Sequence, residues 1–296
     1  MPAAAPERVS AEVRVPSPAT AEVVAHALRE VIKFLLFVRQ QTPSSYDELR
    51  DALLDAVGPA ALGLASAGEL RDAARADAPG ARAGRKRKRV TSAERAAAKL
   101  FRDLDAMLAC LTAEALRGAA ATEVALLLGA TPVRPKEMFV FDLARVVPSL
   151  RAPRGPTPAA GADAERAKDA AGRRAIRECL PAVAACAPAA GATKAFLLLR
   201  GAAAVRASPA GFLPKRGFAP VTRSTRVLAE FSMRPKDPLA GPGDADAGGR
   251  AAGAGDDRPG EDGRGEGLDG GADDDDDDRL WYQCATTIKG VRGGGA

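Results

Sequence analysis

The chain has 296 residues and a formal net charge of +5, and 46% of its residues are hydrophobic while only 4% are aromatic. Alanine, which buries little area, inflates the hydrophobic share, and 30 glycines and 22 prolines shorten the length available for regular structure, so one domain with disordered insertions is predicted. The basic total averages a basic middle and an acidic late stretch, so it does not argue for a nucleic-acid partner.

The start, Met1-Pro-Ala-Ala-Ala-Pro-Glu-Arg8, lacks the apolar core of a signal peptide. No run approaches the ~20 apolar residues of a membrane helix, so no membrane partner is expected. The cysteines, Cys110, Cys179, Cys186 and Cys284, have no C-x-x-C spacing and read as free thiols of a reducing compartment, nuclear or cytoplasmic.

Residues 1–19 are rich in proline and alanine and are predicted to be a mobile, disordered N-terminus. A helix should start with Thr20 as N-cap and Glu22 in its first turn. Val24, Leu28, Val31, Ile32 and Leu35 recur at helical spacing, and Pro43 limits the run. Ser45 and Glu48 have the spacing of a capping box for a second helix, with Leu49, Leu53 and Val57 on its apolar side and Gly58 as a stop. Residues 74–90 read as a linker ending in the basic run Arg85, Lys86, Arg87, Lys88 and Arg89. Adjacent cations on an accessible linker suit a nuclear import receptor, and they suit equally a solvated linker that has none. Thr91 and Glu94 form another capping-box pair. The stripe that follows, Ala97, Leu100, Phe101, Leu104, Met107, Leu108 and Leu111, should pack a helix against a sheet.

Strands are predicted over Val124–Leu128, Met138–Phe141, Phe196–Leu199, Val227–Met233 and Trp281–Ile288. Between the second and third lies a helix-prone stretch from about Ala162 to Ala185, interrupted by Gly172 and Pro181. Residues 235–279, which end in an aspartate run, have no apolar period and read as a disordered acidic and glycine-rich insertion. The element order predicts an α+β domain over 20–296, a mixed, mainly antiparallel sheet packed against three main helices.

No enzyme signature is present. His26, the one histidine, falls inside the first amphipathic helix and reads as a structural or surface residue. A single histidine with scattered cysteines makes no zinc site, and no phosphate-binding loop has the required spacing, so neither metal nor cofactor is expected. No aromatic residues interleave with the basic run to stack on bases.

Four segments, in order, resemble the Comet family of HORMA-fold proteins. They are Phe37-Val-Arg-Gln-Gln-Thr-Pro43 running into Tyr46-Asp-Glu-Leu49; Ala125-Leu-Leu-Leu-Gly129 with Pro135-Lys-Glu137 and Phe141-Asp-Leu143; Phe212-Leu-Pro-Lys215; and Trp281-Tyr282-Gln283 with Lys289-Gly290. The resemblance implies a non-enzymatic adaptor of spindle checkpoint silencing in mitosis. One face would bind the closed form of the HORMA checkpoint protein Mad-two (mitotic-arrest-deficient two). The other would recruit the hexameric pachytene-checkpoint AAA+ ATPase, which disassembles the mitotic checkpoint complex.

By the same resemblance, the Mad-two contacts would be Val38, Arg39, Arg173, Arg174 and Ile176. A family glutamine is replaced by Val38 and a central aromatic by Ile176. Pro214 and Lys215, expected in a loop between strands, would contact the ATPase. Trp281, Tyr282, Gln283 and Ile288 would form the HORMA safety belt, packed on the protein's own sheet. A nuclear and cytoplasmic location follows, with spindle or kinetochore association. Two other readings stay open: a self-standing HORMA protein of the meiotic chromosome axis that traps a peptide under a mobile belt, and a basic nucleic-acid-binding module.

Overall fold

A computed structural model describes residues 7–16, 19–64, 90–151, 162–203, 208–222, 225–236 and 279–291. The chain forms an α+β domain around one mixed sheet of eight strands. In chain order these are β1 (Glu7–Val15), β2 (Glu123–Gly129), β3 (Glu137–Asp142), β4 (Lys194–Ala202), β5 (Phe212–Lys215), β6 (Val227–Pro235), β7 (Arg279–Cys284) and β8 (Ile288–Lys289). Their order across the sheet is β1-β6-β3-β2-β4-β7-β5, and β8 also pairs with β4. Among the described strands, only the β1/β6 and β3/β6 pairs are parallel.

The helices are α1 (Ala21–Val38), α2 (Tyr46–Val57), α3 (Ser92–Cys110), α4 (Ala113–Gly118), α5 (Val147–Arg151) and α6 (Ala162–Ala185). Their starts follow from side-chain capping. Thr20 accepts from the Val23 N–H, and Ser45/Glu48 and Thr91/Glu94 are reciprocal capping boxes. The apolar faces of α1, α3 and α6 share a core with one face of the sheet, including Leu126, Phe139, Phe141, Leu197, Phe231 and Tyr282. Residues of the opposite pleat, Leu127, Phe196, Leu198 and Trp281 among them, form a smaller cluster with Phe218.

Two expectations need correction. The N-terminus is not disordered throughout, because Glu7–Val15 is a nine-residue edge strand beside β6. Val9, Ala11, Val13 and Val15 alternate with Arg8, Ser10, Glu12 and Arg14, a period-two pattern with the apolar side turned to the core. The expected terminal strand is also two strands. Gln283 faces Leu198 and Ile288 faces Ala195, so the terminal chain carries extra residues between β7 and β8 and bends there. The basic run 85–89 lies outside the described residues. So does most of the expected 235–279 insertion, although Pro235 closes β6 and Arg279 opens β7.

Helix α6 spans both of its pattern breakers. Gly172 is needed where it stands, because a Cβ there would lie 2.7 Å from Glu30 Cγ on α1. His26 lies at the same contact, its Nε2 3.5 Å from Asp169 Oδ1 and without a hydrogen bond. Burial lowers the His26 pKa, and Arg29 and Lys33 act in the same sense against Glu30 and Asp169. A histidine lowered on folding favours the native state above its ordinary value, and that contribution is lost as pH falls through the folded value. The denaturant midpoint is therefore expected to decline between about pH 7 and about pH 5, and His26→Gln should flatten the decline. Parallel curves for wild type and variant would remove His26 as the cause.

Candidate functional site

Three of the segments singled out in the sequence meet in one buried polar knot. Helix α1 stops at Val38, and Gln40 takes φ 57° to turn the chain away. That turn points Arg39 and Gln41 inward. Arg39 Nε donates to Glu137 Oε2 at 2.7 Å, with the side chains only 3% and 2% exposed. Arg39 Nη2 donates to the Ala187 carbonyl at 2.9 Å, and the Ala190 N–H donates to Glu137 Oε1 at 2.9 Å. The Gln41 amide donates to the carbonyls of Arg39 and Gly191 at 2.7 and 3.0 Å, and its oxygen accepts from the Thr193 N–H at 2.8 Å.

The terminal segment closes the knot. Gly290 N–H donates to the Thr193 carbonyl at 2.7 Å, and Val291 N–H to the Gln41 carbonyl at 3.2 Å. A Cβ on Gly290 would stand 2.6 Å from Gln41 Oε1, so glycine lets the chain lie against that amide. The end of α1, the start of β3 and the residues after β8 are thus tied to the 186–193 connection. Such a network holds one arrangement of the chain when every member is satisfied.

Arg39 is therefore not a surface contact. Its guanidinium is committed to an internal ion pair, which corrects the expectation of a partner-binding role. Val38 beside it is 37% exposed, and so is Phe37, at 42%. On α6, Arg173 is exposed, Arg174 is half-buried and donates to Glu178 at 2.8 Å, and Ile176 is half-buried against the core. Glu178 also accepts from the Arg14 N–H, tying α6 to strand β1.

The residue missed on this helix is Leu180, 49% exposed. Arg173, Arg177, Leu180 and Ala184 form its solvent-facing stripe, while Ala171, Ala175, Cys179 and Val183 face inward. The spacing of those small inward residues was the signal that would have placed Leu180 outside. Helices α1 and α6 run the same way, since His26 lies by Asp169 and Arg39 reaches Ala187. Phe37, Val38 and Leu180 thus belong to the same half of the helical layer.

Pro214 and Lys215 are not in a loop. They end β5, the edge strand, opposite Tyr282 and Trp281 of β7. An edge position tolerates proline, which cannot donate to a second neighbour. Leu213 and Pro214 are exposed there and Lys215 is half-buried. On β7 the aromatic neighbours point to opposite faces. Tyr282 lies in the helical core with its hydroxyl donating to the Ala202 carbonyl at 2.9 Å, and Trp281 lies in the smaller cluster, edge-on to Phe218 at 6.3 Å. Gln283 is half-buried and Ile288 fully buried.

Among the described residues, no His, Cys, Asp and Glu side chains cluster as metal ligands, and no helix is long and apolar enough to cross a membrane. No protein-family model matches the chain, and no curated protein matches it.

Proposed function

We propose that the chain is a Comet-like HORMA adaptor without catalytic activity of its own, which binds closed Mad-two and recruits the pachytene-checkpoint AAA+ ATPase. The observation that carries this reading is the position of the terminal strand. Strand β7 lies between β4 and β5 with Trp281 and Tyr282 buried on opposite faces, and Gly290 is bonded beyond it. A belt that fills its own sheet suits an adaptor better than a protein that opens to trap a peptide. The partner face would be the outer stripe of α6, with Phe37 and Val38 at the end of α1. Exposed apolar residues beside Arg173 and Arg177 offer a packing centre with a basic rim. The adaptor supplies effective concentration and orientation, while ATP hydrolysis in the partner supplies the work. Action in nucleus and cytoplasm, at the spindle or kinetochore, accords with this role.

The ATPase contact is assigned to the edge strand β5 through Pro214 and Lys215. Replacing both by alanine should leave Mad-two binding unchanged and weaken ATPase recruitment by about 1–2 kcal/mol, roughly five- to thirtyfold. ATP-dependent release of Mad-two under limiting adaptor is the measurement. A normal release rate with the double variant would leave these residues as strand positions only.

A further inference from the structure

We propose that Cys110 and Cys284 are a redox-responsive thiol pair, which oxidised glutathione converts to a disulfide stapling the end of α3 to the terminal strand. Cys110 is the last residue of α3 and Cys284 the last of β7, and both are free thiols. In the β5/β7 ladder Cys284 faces Phe212, and the Ala285 N–H donates to the carbonyl of the preceding Gly211 at 2.9 Å. The Cys110 sulfur fills the space that a Cβ on Gly211 would occupy and donates to the Ala106 carbonyl at 3.2 Å, so it rests on the backbone that pairs with the residue after Cys284. Cys110 is half-buried and Cys284 fully buried, so an oxidant meets Cys110 first. The remaining two cysteines do not pair with each other. Cys179 and Cys186 are seven positions apart along and just beyond α6, about 10 Å of helical rise, outside bridging distance.

The reaction balances in two displacements. The Cys110 thiolate attacks one sulfur of oxidised glutathione, forming a mixed disulfide and expelling one glutathione thiolate. Cys284 gives its proton to solvent and attacks the Cys110 sulfur, expelling the second. The protein loses two electrons and two protons, and one glutathione disulfide becomes two glutathione thiols. Burial pushes the Cys284 thiol up, which makes the closing displacement the slow one. The pair stands on this geometry alone and is independent of the adaptor reading.

The test is to incubate the folded full-length chain with oxidised glutathione, block free thiols and map peptides by mass spectrometry. A 110–284 cross-link is expected, with a melting temperature raised by about 5 °C and restored by dithiothreitol. Cys284→Ser should halt at a glutathione adduct on Cys110, and Cys110→Ser should give neither adduct nor cross-link. Oxidation that stops at an adduct on the unaltered chain, a different cysteine pairing, or persistence of both thiols would overturn the proposal.

Discussion

Arg39→Ala is expected to destabilise the domain by about 3–5 kcal/mol, because it leaves the Glu137 carboxylate buried without its cation. A domain of ordinary stability has only about 5–15 kcal/mol to lose, so the variant should be close to unfolding at physiological temperature. The loss would come from uncompensated charge and not from missing packing. Replacing both partners, Arg39→Met with Glu137→Leu, should therefore recover much of what either single change loses. Urea midpoints of the two singles and the double decide the matter. Single variants costing under about 1 kcal/mol, the range of a solvated surface pair, would contradict the buried knot.

Tyr282→Ala should cost a similar amount, about 3–5 kcal/mol, since it removes a buried ring from the core between sheet and helices. Tyr282→Phe deletes only the hydroxyl bonded to the Ala202 carbonyl and should cost about 1 kcal/mol. The contrast tests whether the terminal strand is structural. If Tyr282→Ala melted with the wild type, the strand would have to be detachable, as a mobile peptide-trapping belt is. Hydrogen exchange over residues 280–290 reports the same distinction and should show protection close to that of β2 and β4.

The local signals for helix starts were legible because the residues that make them lie within three positions of each other. Thr20, the Ser45–Glu48 pair and the Thr91–Glu94 pair sit where their spacing places them. Helix α6 was legible despite Gly172 and Pro181, since its inward small residues keep their period. Strand β1 was written in the alternation of Val9 to Val15 and hidden by the prolines and alanines around it. Strand β5 was less accessible. Four residues with a proline become a strand only because β7, some seventy positions later, lies beside them.

Of the candidate site, Val38 and Arg173 are exposed and Arg39 is buried, and the burial of Arg39 was not legible in the sequence. Its partner Glu137 is 98 residues away, and a charged residue at a helix end is exposed by default. The sequence segments that meet in the knot were recognisable one by one. That they meet is a property of the folded chain, where Gly290 comes to rest on Gln41.

The adaptor account turns on recognition of one conformer of one partner, and calorimetric titration of the purified chain against closed-locked and open-locked Mad-two measures that directly. The account predicts binding to the closed form and none to the open form. It also predicts that Leu180→Asp, checked for a native melting transition, loses about tenfold or more in affinity, because a charge is buried at the centre of the contact. Ile176 is half-buried against the core, so Ile176→Asp should instead lower stability. Absence of binding to closed Mad-two, or equal binding to both conformers, would contradict it.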